Sequence, residues 1–179
     1  MKPTKWVLDP FHSEVQFKVK HLMISTITGQ FNTFEATVET NTDDFTSAKA
    51  FFKADTNSIN TSNNQRDSHL KNSEFLDAEN YPHLTFQTDR IEKGNDDEYT
   101  ILGVLTMKGI SKPVVLNAEF GGITEYIKGE VRAGFSLSGK INRKDFGVSY
   151  SQLTEKGGIV VGDEVRIIAN VEFVKQQDI

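Results

Sequence analysis

Apolar side chains recur at every second residue in nearly every segment of this chain. In Glu14–His21, Val15, Phe17 and Val19 fall on one face, and Glu14, Gln16, Lys18 and Lys20 on the other. Tyr99, Ile101, Leu105 and Met107 repeat the beat, and so do Val165, Ile167, Ala169, Val171 and Phe173 against Arg166, Asn170 and Glu172. Successive side chains of a strand point to opposite faces, so each segment offers one apolar face and one wet face. Such segments must close their apolar faces on one another. The simplest closure is a barrel with an apolar inside, and what fills that inside decides what the chain can do.

The 179 residues suit a single domain, 1–179, of comfortable size for a barrel. Thirteen Phe stand against one Trp and four Tyr. Phe has no polar handle, so it suits a dry surface, either a core or a cavity wall. A formal charge of -5 argues against a nucleic-acid partner, which wants a basic face. The absence of Cys excludes disulfides, thiol nucleophiles and thiolate metal sites, and fits a reducing compartment. No stretch approaches the roughly 18 apolar residues that span a bilayer. The start, Met1-Lys2-Pro3-Thr4-Lys5-Trp6, lacks the apolar centre of a signal peptide, so the chain as it stands reads as cytoplasmic. A chain whose leader had been removed, and so a periplasmic one, would look the same.

The pattern predicts eight or nine antiparallel strands and one helix that interrupts the middle. Residues 6–9 and 14–21 read as the first two strands, with Pro10-Phe11-His12-Ser13 turning between them. Residues 22–28 are apolar without a period of two, and read as a short helix or a lid-like loop. A third strand runs over 29–40, with a phase slip between Phe31 and Phe34 that suggests a bulge. Asn41-Thr42-Asp43-Asp44 is a turn, and 48–59 a fourth strand with Ala50, Phe52 and Ala54 on one face. Residues 60–74 are polar. A helix is expected over 63–71, with Thr61 or Ser62 as its cap. Strands follow at 84–92, 99–108 and 114–120, with turns at Gly94-Asn95-Asp96-Asp97 and Gly121-Gly122. A long Gly-rich strand covers 127–142, 143–162 is irregular, and 164–174 is the last strand.

Few residues suggest chemistry. His12, His21, His69 and His83 show no metal-like spacing, and no Cys is present to complete a zinc site, so no metal is expected. His21 continues the apolar face of Val15, Phe17 and Val19, which places it at the rim or inside, where it can bond a ligand head group or a backbone carbonyl. Arg66-Asp67-Ser68-His69-Leu70 reads either as a charged plug over one mouth or as a solvated helix anchored by Leu70 with Phe75 and Leu76. Arg143-Lys144-Asp145-Phe146-Gly147 reads either as two cations that meet an anionic head group or as a surface loop with an Arg143–Asp145 pair. No nucleophile elbow, phosphate-cradling loop or dinucleotide fingerprint appears, so neither an enzyme nor a cofactor is expected.

Taken in order, the pieces form a pattern. Trp6-x-x-Asp9-x-x-His12-Ser13-x-x-x-Phe17-x-Val19-x-His21 opens it, and Gly29-x-Phe31-x-x-Phe34 follows. Then come Ser58-Ile59-x-Thr61, Arg66-Asp67-x-His69-Leu70, Phe75 and Tyr81-Pro82-x-Leu84-x-Phe86. Gly103-x-Leu105-Thr106-x-Lys108-Gly109, Arg143-x-x-Phe146-Gly147 and Gly162-Asp163-x-Val165 complete it. From Trp6 to about Phe173 the chain resembles the YceI-like family of polyisoprenoid-binding proteins. The resemblance implies an extended, eight-stranded, antiparallel lipocalin-like barrel with one short helical insert. It also implies an elongated apolar pore holding an isoprenoid or similar lipid, no catalytic residues, a homodimer, and in many relatives a periplasmic location.

The expectation is therefore non-catalytic binding, storage or transport of a long-chain lipid, such as a quinone or polyprenyl phosphate. Its walls would be Phe17, Val19, Phe34, Phe52, Leu70, Phe75, Phe86, Leu105, Met107, Phe135, Phe146 and Phe173, with His21, Arg66, His69 and Arg143 near the head group. The alternative is a barrel whose core is filled by alternating large and small side chains, acting through its surface as a stress-related or partner-binding protein.

Overall fold

The computed structural model describes residues 2–42 and 44–177. In chain order the strands are β1 (Thr4–Leu8), β2 (Glu14–His21), β3 (Ser25–Phe31), β4 (Phe34–Thr40), β5 (Lys49–Asp55), β6 (Ile59–Asn60), β7 (His83–Lys93), β8 (Glu98–Met107), β9 (Ile110–Glu125), β10 (Val131–Asn142) and β11 (Val161–Lys175). One helix of substance, α1 (Asn64–Leu70), lies between β6 and β7. The order β1-β4-β5-β7-β8-β9-β10-β11 closes through β11 back onto β1, giving an eight-stranded antiparallel barrel.

Three of the eight staves are broken. Along β11, β1 pairs as far as Leu8↔Phe173, and β2 takes over from Glu14↔Asn170 to His21↔Val161. In the same way β3 continues the row of β4 and pairs with β2 and β6. The first break falls where Pro10 has no N–H for the ladder, and the Asp9 carboxylate accepts from the Phe11 N–H at 2.9 Å instead. The second falls at Asn32 and Thr33, whose N–H groups donate to the carbonyl and hydroxyl of Ser58 at 3.1 and 3.0 Å. The phase slip between Phe31 and Phe34 is therefore a gap between two strands, not a bulge.

Other expectations change for equally local reasons. Residues 22–28 form neither helix nor lid. Leu22, Met23 and Ile24 make a turn, and the rest belongs to β3. The stretch 48–59 is not one strand, because a short helical turn over Thr56–Ser58 separates β5 from β6. Gly121-Gly122 is not a turn. β9 runs through it, and the register slips there, with Gly134↔Gly122 but Phe135↔Phe120, so that Gly121 is the extra residue of a bulge. Residues 127–130 precede β10 rather than belonging to it. The cap of α1 is Asn63, whose side-chain oxygen accepts from the Arg66 N–H at 2.9 Å, not Thr61 or Ser62. Of the turn expected at Asn41 to Asp44, Asp43 lies outside the described residues.

One end of the barrel is packed with rings. Fully buried Trp6 lies 5.6 Å from Phe45, which lies 5.5 Å from Phe120 and 5.0 Å from Phe135. Phe120 and Phe135 are 5.1 Å apart, and Phe173 follows Phe135 at 6.3 Å. These separations and tilts are the favourable range for aromatic pairs. The cluster draws on β1, β9, β10, β11 and the short turn Phe45–Ser47, so it joins strands far apart in sequence.

The same side of the barrel is stapled outside. Where β1 passes to β2, the Arg132 guanidinium donates to Asp9 at 2.7 Å, to Glu172 at 2.5 Å and to Glu130 at 2.6 Å. His12 Nδ1 meets Asp9 at 2.8 Å. Burial alone would raise the Asp9 pKa, but the hydrogen bonds from Arg132, His12 and the Phe11 N–H outweigh it and hold the carboxyl at about 2.

Two outcomes follow for stability. A folded-state pKa below the unfolded carboxylate value of about 3.9 stabilises the fold above that pH, and the contribution disappears as pH falls through about 2. Asp9→Asn should lower the melting temperature at neutral pH. The gap to wild type should close between about pH 4 and 2 in a pH series of thermal melts. Phe135→Ala should cost about 3–5 kcal/mol in denaturant unfolding, as expected for a core aromatic.

Candidate functional site

Beyond the ring cluster the barrel is hollow. A cavity of about 600 Å³ runs between the walls. The inward faces supply it: Val15, Phe17 and Val19 from β2, Ile101, Leu105 and Met107 from β8, and Val165, Ile167, Ala169, Val171 and Phe173 from β11. The two-residue beat of the sequence is thus the lining of this space. Phe17 sits opposite Gly29 on β3, and its ring lies where a Cβ of residue 29 would be, so a side chain there would displace the ring. Phe31 approaches that ring at 5.9 Å.

Asn64, Gln65 and Ser68 stay exposed on one face of the helical insert, and the other face lies against the cavity. Arg66, His69, Leu70, Phe75 and Leu76 all line it. Their positions are fixed by a polar chain. Arg66 Nε donates to Thr61 Oγ1 and Arg66 Nη2 to the Thr61 carbonyl, both at 2.7 Å. The Thr61 hydroxyl and N–H then donate to Asp67 at 2.6 and 2.8 Å. Asp67 is buried, and these bonds satisfy it. The His69 ring packs edge-on to Phe75 at 5.0 Å and to Tyr150 at 5.1 Å, and its Nε2 meets Glu74 at 2.9 Å. Lys108, in the turn between β8 and β9, donates to the carbonyls of Ser73 and Gly147 at 2.6 and 3.0 Å, tying the insert to the barrel end.

Arg143 corrects the second reading of its loop. It is neither a surface residue nor paired with Asp145. Its side chain is buried, donating to the carbonyls of Gly162 at 2.9 Å and Val148 at 2.8 Å, with Asp163 at 3.5 Å. Burial pulls the guanidinium pKa down, and Asp163 partly offsets this. Arg143 faces the cavity but is engaged in holding residues 148–162 to the barrel.

Of the wall residues expected, Phe17, Val19, Phe52, Leu70, Phe75, Phe86, Leu105, Met107 and Phe173 border the cavity, as do His21, Arg66, His69 and Arg143. Three do not. Phe135 belongs to the ring cluster at the closed end, opposite Val171 on β11, and the slip at Gly121 brings Phe120 beside it. Phe146 is buried behind the wall in the short helical turn after β10. Phe34 packs on Phe52 at 6.3 Å, between the two clusters. The sequence reading missed Ile27, Leu116, Ile141, Val148, Tyr150 and Val160. Leu116 and Ile141 continue strand alternation and were findable; Val148 and Tyr150 lie in an irregular loop that carries no periodic signal.

Asp9, His12 and Glu172 bring their ligand atoms within 4.8 Å of one another, a donor set of metal-binding type. The spacing of His residues could not reveal it, because Glu172 comes from the last strand. Its cation is the Arg132 guanidinium, bonded to both carboxylates.

The YceI-like domain family matches residues 6–173. A UPF0312 protein of Staphylococcus epidermidis is 36% identical over 171 residues, spanning 95% of this chain and 97% of that protein. Burkholderia cenocepacia BcnA superposes with a TM-score of 0.80 at 22% identity, over 92% of this chain and 98% of that one. A polyisoprenoid binding domain from Saccharophagus degradans, implicated in plant cell wall breakdown, superposes with a TM-score of 0.70 at 15% identity, over 96% and 98%. The two structural matches establish likeness of fold.

Arg143→Ala should cost at least about 3 kcal/mol, since two short charge-assisted bonds at about 1.5 each are lost. Protease cleavage within 148–160 should rise with it. Arg143→Lys should recover little, because an ammonium cannot reproduce the fork that reaches Gly162 and Val148 together.

Proposed function

The chain belongs to the YceI-like family, and on that premise we propose that it holds a long-chain apolar lipid in its barrel cavity without altering it. The observation that carries the reading is the cavity of about 600 Å³, walled by apolar side chains from β2, β8 and β11. Such a space suits a slim apolar ligand. Removing a tail from water is favourable by roughly 25 cal/mol per Å² of apolar surface, so affinity needs no dense polar recognition. The Saccharophagus domain of the same fold is described as polyisoprenoid binding, which favours an isoprenoid tail, as in a quinone or polyprenyl phosphate. The head group then lies near His21, Arg66 and His69, at the end away from the rings.

Binding rather than catalysis also fits the polar groups. Arg66 is engaged by Thr61, Arg143 by backbone carbonyls and His69 by Glu74. These are supporting arrangements, unlike the nucleophile–base pairs of covalent catalysis. The rival reading, a filled barrel acting through its surface, draws its support from the ring-packed end.

Protein purified without detergent and extracted with solvent should yield about one lipid per chain by mass spectrometry, and an added prenyl ligand should be recovered unchanged. Each methylene removed from the tail should weaken binding about fourfold, from roughly 0.8 kcal/mol per buried group. Phe17→Asp should abolish uptake, because an unpaired carboxylate in the cavity is costly. Consistent absence of lipid together with no uptake in vitro would overturn the proposal.

A further inference from the structure

The turn between β2 and β3 breaks two rules at once. The Ile24 N–H closes it onto the His21 carbonyl at 3.2 Å, with Leu22 and Met23 as the central residues. Both have left-handed backbone, with φ of 53° and 60°. Turns of that kind are normally made by Asn, Asp or Gly, and large side chains are strained in them. Here the tip carries Leu, Met and Ile, with Met23 56% and Ile24 83% exposed. Backbone strain and hydration both disfavour this sequence at this place, so its advantage lies outside the isolated fold.

A second loop adjoins the tip. The Leu22 N–H donates to the Val160 carbonyl at 2.9 Å, and the Val160 N–H to the Gln152 carbonyl at 3.1 Å. Beside them the bridge Leu153↔Ile159 turns out two more apolar side chains, 63% and 50% exposed. His21, Val160 and Val161, at the foot of these loops, line the cavity, so the exposed patch is continuous with the cavity wall. The charge within the hairpin has one sign, whereas the start of β11 beside it carries Asp163 and Glu164, of which Asp163 is paired with Arg143 and Lys144. Residues 15–34 hold Lys18, Lys20 and His21 and no acidic residue, in a chain whose net charge is -5.

We propose that this rim docks on an anionic lipid surface, through which cargo enters the cavity. An apolar cargo that passes from a lipid phase directly into the barrel never crosses water, and exposed Met and Ile at the doorway insert into the head-group boundary as interfacial anchors do. The lysines complement anionic head groups. A second copy of the chain fits less well. The five apolar side chains of the patch fall far short of the roughly 20–30 residues a side of a stable protein interface. The inference takes its cargo from the reading above, while its geometry stands on the rim alone.

The test is flotation with vesicles of phosphatidylcholine, alone or with one third phosphatidylglycerol. It compares wild type with the double variant Met23→Asp, Ile24→Asp, folding being checked by circular dichroism. Wild type should float with the anionic vesicles, less so with neutral ones and less at high salt. The variant's partition should fall about tenfold or more, since two apolar anchors are lost. Transfer of a fluorescent farnesyl phosphate from vesicles should slow by a similar factor, while uptake of the same probe from dilute ethanol stays at the wild-type level. A wild type that floats with neither vesicle, or a variant that floats equally well, overturns docking. A variant that loses only self-association in sedimentation, with no change in flotation, assigns the patch to a contact between copies and likewise overturns it. Wild type that floats but takes up the probe from neither source supports docking and removes the lipid-cavity reading instead.

Discussion

The ring packing at the closed end is the interaction on which the rest depends. Trp6, Phe45, Phe120, Phe135 and Phe173 draw together strands from the start, middle and end of the chain. Protein interiors are normally packed like organic crystals, and an unfilled space forfeits dispersion contacts along its whole lining. A barrel that leaves about 600 Å³ open must therefore concentrate its stability elsewhere. At one end it has rings inside and the Arg132 network outside, and at the other the buried cluster that includes Ile59, Phe75, Leu84 and Phe146.

The alternation that builds the barrel was plain in the sequence, and so was the class of fold. β2, β8 and β11 read directly from their apolar beat. What alternation does not contain is depth along the barrel axis. Phe17 and Phe135 both sit on apolar inward faces, yet one walls the cavity and the other fills the core. The difference is set by strand register, since along β11 Phe17 lies opposite Ile167 and Phe135 opposite Val171, further toward the ring-packed end. A local reading sees Gly121-Gly122 as a turn, since nothing nearby in sequence shows the partner strand continuing past it. The broken staves were hidden for a related reason. Asn32 and Thr33 leave the ladder to bond with Ser58, a partner 25 positions away from Thr33.

Polar residues in the cavity region were harder to read than apolar ones. Arg143 in a loop of mixed charge suggests solvent, because its carbonyl acceptors at Val148 and Gly162 have no sequence signature. The helical insert gave a better signal. Its loss of period two marked an interruption, and Leu70, Phe75 and Leu76 marked the face that covers the cavity. The Arg66–Thr61–Asp67 chain then explains how so short a helix keeps its place. Seven residues are too few to be stable alone, so α1 depends on its cap and on tertiary bonds.

That dependence divides the molecule by function. The closed end is joined by rings and charge-assisted bonds between distant strands. The hollow end is covered by a short helix, a strained turn and an irregular loop, held by a few hydrogen bonds and by packing of Leu70, Phe75, Leu76 and Val148. Elements of that kind open at lower free energy than the core strands. A cavity enclosed by barrel walls needs such an end, because a long apolar molecule cannot pass through a continuous ladder of strands. The positive φ values at Leu22 and Met23 are then tolerable, since the strain falls on the part of the fold that contributes least to closing the barrel.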